Sequence, residues 1–164
     1  MPRDASVTRA EREARKRVEA LGIDVDAYAA VSNIFRVANA VRNYTERNLL
    51  SEFNLTFSGF TVLWVLWVWG PKESYALAEE SGISKSTLTG VVKTLERLDL
   101  VARTPHVSDG RRVLVRATRK GMATMRKVFP RFNEIEALVT RDLSPEEKES
   151  LARSLRVMLH TVDD

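Results

Sequence analysis

Two basic stretches of this sequence have residue types that bind a polyanion. The segment SDGRRVLVRAT, residues 108–118, places Arg111 and Arg112 directly after an Asp-Gly pair. Upstream, the segment SKSTLTGVVKTLER has short polar and cationic residues at steps of one to four: Lys85, Ser86, Thr89, Lys93 and Arg97. On a helix these residues share one face, and small or cationic side chains suit a groove of DNA. The spacing indicates nucleic-acid recognition, with a solvated basic face as the alternative.

The net charge is concentrated around the same two stretches. Residues 84–120 have nine lysines and arginines against three acidic residues, a local charge of +6, whereas the rest of the chain has a charge of −2. Such a concentration indicates a polyanionic partner, usually nucleic acid.

Composition excludes several other kinds of protein. A chain of 164 residues with 44% hydrophobic residues fits one globular domain. It has no cysteine, and therefore no disulfide, thiolate nucleophile or thiolate zinc site. The N-terminus lacks the apolar core of a signal peptide, and the longest apolar run, VLWVLWVW at 62–69, is too short to span a bilayer. We therefore expect a cytoplasmic protein without a membrane partner.

Motifs of catalysis and cofactor binding are missing from the sequence. It has no glycine-rich phosphate loop, no HExxH motif and no carboxylate pair at a spacing that suggests acid and base roles. His106 and His160 are the only two histidines. The sequence predicts neither an enzyme nor a bound cofactor or metal ion.

Apolar periodicity predicts a mainly helical fold. Residues 8–20 are polar and indicate a solvent-facing helix or a partly ordered arm. Apolar residues from Ile23 to Phe53, at steps of mostly three and four, indicate a long amphipathic helix. Thr56 is the predicted N-cap of a central helix, apolar on all sides, which ends at Gly70-Pro71.

A helix-turn-helix unit follows the central helix. Ser74 is the predicted cap of the helix SYALAEESG, and Gly82 supplies the left-handed residue of the turn. Ser84 is the predicted cap of the second helix, KSTLTGVVKTLERLDL. The apolar stripe of this second helix consists of Leu88, Val91 or Val92, Leu95 and Leu98.

The segments LVART and RRVLVRA alternate in polarity and are joined by the turn formers PHVSDG, which indicates a β-hairpin. A hairpin directly after a helix-turn-helix unit is the arrangement of a winged helix. At the tip of such a wing, Arg111 and Arg112 can reach a phosphate backbone or the narrow minor groove, where the guanidinium is attracted by the negative potential.

Two further helices are predicted after the hairpin. One starts at Arg119, and Ser144 caps the other with Pro145 at its first position and Glu147 at its third. Both have apolar stripes that a small winged domain does not cover. These stripes fit a dimer interface, or alternatively the closure of a monomeric helical domain.

Residues 55–121 resemble the core of the multiple antibiotic resistance regulator (MarR) family of bacterial transcription factors. The resemblance rests on Leu55-Thr56, Leu77-Ala78, Ile83-Ser84, Thr87-Leu88-Thr89, Leu95-Glu96, Leu100-Val101 with Arg103, Asp109-x-Arg111 and Thr118-x-x-Gly121. With the flanking helices it covers about residues 24–163. Asp99 stands where the family usually has glycine, and Ala117 where leucine is common; aspartate tolerates the left-handed conformation better than most residues.

The resemblance implies a winged helix-turn-helix domain, mainly α with a small β-hairpin wing, plus N- and C-terminal dimerisation helices. We expect a polar helical extension over residues 1–22 and a single domain over residues 23–163. Within that domain the core is 55–121, and the dimerisation regions are 23–54 and 122–163.

The resemblance also assigns roles in DNA binding. The residues predicted to enter the major groove are Ser84, Lys85, Ser86, Thr87, Thr89 and Lys93. Arg111 is implied to reach the minor groove and Asp109 to orient it through a salt bridge, although Asp109-Gly110 also suits a hairpin turn. A homodimer would present two recognition helices to a palindromic operator in double-stranded DNA.

Aromatic acids or aromatic acyl-CoA thioesters are effectors in such regulators, so a small aromatic effector is expected. The predicted ligand-binding residues are Phe57, Phe60, Trp64, Trp67, Asn39, Arg42, Asn43 and His106. The alternatives are that the aromatic residues belong to the core and that His106 is a wing residue near phosphate. The expected function is a dimeric repressor released by its effector; the alternative is a winged-helix module that contacts protein or RNA without sequence-specific DNA binding.

Overall fold

The computed structural model describes residues 9–105 and 113–163. In chain order, the helices of these residues are α1 (Arg9–Glu19), α2 (Val25–Asn48), α3 (Phe57–Trp69), α4 (Ser74–Glu80), α5 (Lys85–Arg97), α6 (Arg119–Val139) and α7 (Pro145–Asp163). The strands are β1 (Lys72–Glu73), β2 (Val101–Pro105) and β3 (Val113–Ala117), and a 3-10 turn covers Leu50–Phe53. The predicted mainly helical class with a small antiparallel sheet is confirmed.

Two compact units make up the chain: residues 42–134 form one, and the residues up to 41 together with those from 135 onward form the other. In the part of the chain that the structure describes, no helix is both long enough and apolar enough to cross a membrane.

The unit of residues 42–134 is built around α3, as the sequence predicted. Val62, Leu63 and Val65 of this helix are inaccessible to solvent. The hydroxyl of Thr56 accepts the Gly59 N–H at 3.1 Å, which confirms the predicted cap. Glu46, at the end of α2, adds a contact that the sequence did not reveal: its carboxylate accepts the Phe57 N–H at 2.7 Å. Two of the free N–H groups at the start of α3 are thereby satisfied.

The helix-turn-helix prediction is confirmed in its turn and in its second helix. Gly82 has a φ of 64°, and the Ser84 hydroxyl accepts the Thr87 N–H at 3.1 Å. Of the two valines that the pattern left open, Val92 is buried, 2% exposed, and Val91 is only partly covered. Helix α5 therefore packs with Leu88, Val92 and Leu95.

The start of α4 and the end of α2 differ from the prediction. Ser74 is the first helical residue of α4, and the Glu73 side chain, at the cap position, forms no capping hydrogen bond. The reason is β1, a two-residue strand that the sequence did not reveal: it pairs antiparallel with β3 and keeps the chain extended through Glu73. Helix α2 ends at Asn48, before Phe53, because the 3-10 turn follows and Asn54 closes it in the left-handed conformation.

The residues that follow α5 are hydrogen-bonded to residues at the start of α6. Asp99 has a φ of 58°, as expected of a residue in the usual glycine position. The Thr118 hydroxyl donates to the Asp99 carbonyl at 2.7 Å, and the Lys120 ammonium donates to the Leu98 carbonyl at 2.7 Å. A cation at the C-terminal end of a helix is favourable, so Lys120 stabilises α5.

The predicted cap of α7 is also confirmed. The Ser144 hydroxyl accepts the Glu147 N–H at 3.2 Å, and the Glu147 carboxylate accepts the Ser144 N–H at 2.7 Å. These reciprocal bonds are those of a capping box. The Ser144 hydroxyl also donates to Glu146 at 2.7 Å, and this hydrogen bond lowers the pKa of the Glu146 carboxyl.

A bidentate ion pair joins α6 to the 3-10 turn. The Arg131 guanidinium donates to both carboxylate oxygens of Glu52, at 2.6 and 2.7 Å, and this hydrogen bonding lowers the pKa of Glu52. Because the pKa of Glu52 is lower in the folded protein than in the unfolded chain, its ionised carboxylate stabilises the fold at pH values above the unfolded pKa. This stabilisation is lost as the pH falls through the folded pKa.

We therefore expect Arg131→Met to unfold at a lower urea concentration than the parent at neutral pH. The gap between the two unfolding curves should close as the pH falls through the acid range of carboxyl titration, because protonated Glu52 no longer attracts Arg131. Since both side chains are about half exposed, the neutral-pH difference should be small and should shrink with added salt. A gap that is independent of pH would assign the loss to packing of the Arg131 stem.

Candidate nucleic-acid interface

Helix α5 separates a buried face from an exposed polar one. The buried face contacts the core through Leu88, Val92 and Leu95. All six residues predicted to enter the major groove are exposed: Ser84, Lys85, Ser86, Thr87, Thr89 and Lys93. The structure thus brings these residues together at the start of α5 and along its solvent side.

Hydrogen bonds order the first turn of α5. The Ser84 hydroxyl lies 2.9 Å from that of Ser86 and 2.8 Å from that of Thr87. The Thr89 hydroxyl donates to the Lys85 carbonyl at 3.0 Å. This first turn has no acidic residue, so the positive end of the helix dipole and the Lys85 ammonium both favour an anion here.

A crevice of about 230 Å³ lies between α4, α5 and β2. Its lining includes Ser74, Tyr75, Lys85, Thr89 and Arg103. The Lys85 ammonium lies 4.6 Å from the centroid of the Tyr75 ring, and Arg103 pairs with Glu96 at 3.6 Å. Sequence reasoning missed Tyr75. The only signal for it is that Tyr75 is the one aromatic residue of α4.

The two predicted wing strands pair antiparallel. Val101 pairs with Ala117, Arg103 with Val115 and Pro105 with Val113, in antiparallel order. The predicted wing residues Asp109, Arg111 and Arg112, together with His106, lie outside the described residues. Their roles remain predictions from the sequence.

The predicted aromatic ligand residues divide between two ring clusters. Phe57 and Phe60 are 6.0 Å apart by ring centroids, and Phe60 lies 4.8 Å from Phe132 of α6. The ring of Trp67, on α3, lies 5.3 Å from that of Phe129, which is also on α6. Phe129 and Phe132 of α6, which the sequence analysis did not assign to a ligand site, thus extend this cluster.

Trp64 forms an edge-to-face pair with Trp69, at 5.0 Å between centroids. Among the predicted polar ligand residues, Arg42 lies over the Phe57 ring at 5.4 Å from its centroid. Asn39 and Asn43 are exposed residues of α2. The structure therefore brings Arg42, Phe57 and Phe60 together, and Trp67 is linked to them through Phe129 and Phe132 of α6.

Comparisons with known proteins agree with this architecture. A family model described as the MarR family matches residues 55–113. The sequence is 32% identical over 149 residues to YwaE of Bacillus subtilis (strain 168), an uncharacterized HTH-type transcriptional regulator, and the match covers 89% of this chain and 87% of that protein.

Two solved structures are also similar. AbsC, a MarR family transcriptional regulator from Streptomyces coelicolor, is 25% identical with a TM-score of 0.76, and the match covers 86% of this chain and 97% of AbsC. BpsR of Bordetella bronchiseptica, whose DNA binding is regulated by 6-hydroxynicotinic acid, is 26% identical with a TM-score of 0.70; the match covers 79% of this chain and 98% of BpsR.

Proposed function

Because the chain belongs to the MarR family of DNA-binding transcriptional regulators, we propose that it is a homodimeric repressor that occupies a palindromic operator and leaves it when a small aromatic effector binds. The observation that carries the proposal is helix α5, whose hydroxyl and lysine side chains are exposed on one face while its apolar face is fixed in the core. A rigid helix with this face is the element that reads a major groove.

Exposed apolar side chains support the homodimer. In the unit formed by the two ends of the chain, large apolar residues of α2, α6 and α7 are open to solvent: Phe35 is 65% exposed, Leu159 59% and Val162 77%. Monomeric proteins seldom leave such residues exposed in number. A second copy of the chain would cover them and would place two α5 helices against two half-sites.

The aromatic cluster around Phe57 and Phe60 supports the effector. Flat aromatic rings beside the Arg42 guanidinium offer stacking to an aromatic acyl group, and the guanidinium offers a counter-charge to the carboxylate of a free acid or to the phosphates of a CoA thioester. The similar regulator BpsR responds to 6-hydroxynicotinic acid, an aromatic acid. We infer that binding of such an acid lowers the operator affinity of this protein.

Fluorescence anisotropy on labelled DNA tests the proposal. The purified protein is titrated onto DNA from its own upstream region and onto a shuffled duplex of equal length, at near-physiological salt. We expect preferential binding by at least about a thousandfold, since specific sites are typically 10³–10⁷ tighter than non-specific ones. Sedimentation should give two chains of 18.6 kDa per operator, and an aromatic acid should release the DNA.

A selection from random DNA is the companion measurement, because an operator can lie elsewhere in a genome. Enrichment of one palindromic sequence supports the repressor. Weak binding to every duplex, with no sequence enriched, would overturn it in favour of a winged helix that contacts protein or RNA.

A further inference from the structure

Tyr75 has an exposed ring that contributes little to the core. The buried residues of α4 are Leu77 and Ala78, whereas Tyr75 is 62% exposed. A side chain this exposed gains little free energy from burial, so packing in the core does not fix the position of the ring. The Lys85 ammonium lies over its ring, at 4.6 Å from the centroid.

Lys85 stands where a cation is electrostatically disfavoured. It is the first residue of α5, at the positive end of the helix dipole, and the first turn has no acidic residue to compensate. A lysine side chain is also flexible, and ordering it against DNA costs conformational entropy. The face of the Tyr75 ring offsets both effects by attracting the ammonium and limiting its conformations.

We propose that Tyr75 is a positioning residue for DNA binding: its ring holds the Lys85 ammonium at the start of the recognition helix before DNA arrives. This inference rests on the proposed function in one respect, which is that Lys85 contacts DNA. Lys93, two turns further along the exposed face of the same helix, serves as the matched lysine that Tyr75 does not hold.

The contact is first tested without DNA. In the proton NMR spectrum of the full-length protein, the ε-methylene protons of Lys85 should be shifted upfield, because an aromatic ring shields protons above its face. Tyr75→Leu should abolish this shift and Tyr75→Phe should keep it. An unshifted Lys85 signal in the parent protein would overturn the proposal.

A double-mutant cycle on operator DNA then tests the consequence. Tyr75→Leu should weaken binding about two- to fivefold for each recognition helix of the proposed dimer, the range of an exposed cation–π contact, while Tyr75→Phe should bind as the parent. In a Lys85→Met background Tyr75→Leu should have no further effect, whereas in a Lys93→Ala background its effect should be undiminished. Equal thermal unfolding of all variants excludes misfolding as the cause.

The failures of the two proposals are distinguishable. If Lys85→Met weakens binding but Tyr75→Leu adds the same loss in both lysine backgrounds, Tyr75 acts on its own and only the positioning role is overturned. A loss in Tyr75→Phe as large as that in Tyr75→Leu would also overturn it, by assigning the effect to the hydroxyl. If Lys85→Met leaves both operator affinity and its salt dependence unchanged, the assignment of Lys85 to the DNA interface fails as well.

Discussion

Gly121→Ala should lower the free energy of unfolding by roughly 3 kcal/mol or more, the upper range for steric overlap in a packed site. The added methyl carbon would lie 2.1 Å from the Leu100 carbonyl oxygen and 3.2 Å from the Leu63 side chain. That oxygen already accepts the Thr118 N–H at 3.0 Å, so α6 cannot retreat without losing this bond. The clash involves backbone, which cannot rotate away as a flexible side chain would.

Gly90→Ala is the matched control, because Gly90 also lies inside a helix. A methyl carbon at position 90 meets no heavy atom within 4 Å. Alanine favours a helix over glycine by about 1 kcal/mol, so this variant should be as stable as the parent or more stable. Urea unfolding followed by circular dichroism, at one protein concentration, measures the free energy of unfolding of both variants and of the parent. Equal stability of the two alanine variants would contradict the close packing of α6 against the end of α5.

The features that the sequence predicted correctly depend mostly on neighbours in the chain. Thr56 and Ser84 each bond to an N–H three residues later, and Ser144 exchanges two bonds with Glu147. The left-handed conformations of Gly82 and Asp99 can each be predicted from the type of a single residue and its position just after a helix. Such interactions join residues a few positions apart, so the spacing of residue types in the sequence predicts them. The period of the apolar residues then predicts the buried face of each helix.

Contacts between distant segments could not be predicted in this way. Glu46 caps α3 from eleven residues upstream, and Arg131 meets Glu52 across 79 residues. Strand β1 has only two residues and exists because β3 offers it a partner. No local pattern distinguishes these residues from other charged or extended ones, since tertiary packing decides their role.

The candidate DNA-binding face lies between these two cases. Residue types and helical spacing predicted that Lys85, Ser86, Thr89, Lys93 and Arg97 share the exposed side of α5, and all five are exposed in the structure. The contacts among the side chains of that face could not be predicted. The Ser84 hydroxyl is hydrogen-bonded to the hydroxyls of Ser86 and Thr87, and the Lys85 ammonium lies over a ring of the preceding helix.

Arg111→Ala should cause the largest loss of operator affinity among single substitutions of the predicted DNA contacts. Strands β2 and β3 pair up to Pro105 and Val113, so the segment containing Arg111 connects two adjacent strand ends. An arginine that reads a groove contributes about 1–3 kcal/mol, and a symmetric dimer loses two of them, which gives a roughly 30-fold or greater loss. Anisotropy titration of the parent and the variant on the same operator measures it.

Two controls separate minor-groove reading from general attraction to phosphate. Arg126→Ala removes the same charge from an exposed position of α6 and should leave operator affinity nearly unchanged. A phosphate contact at Arg111 would weaken binding to operator and shuffled DNA by the same factor, whereas a groove contact weakens operator binding more, because groove shape depends on sequence. Asp109→Asn should give a smaller loss that disappears in the Arg111→Ala background, since the sequence predicts that the carboxylate acts by orienting that arginine. Parent-like operator binding by Arg111→Ala would remove the wing from the interface and leave recognition to α5 alone.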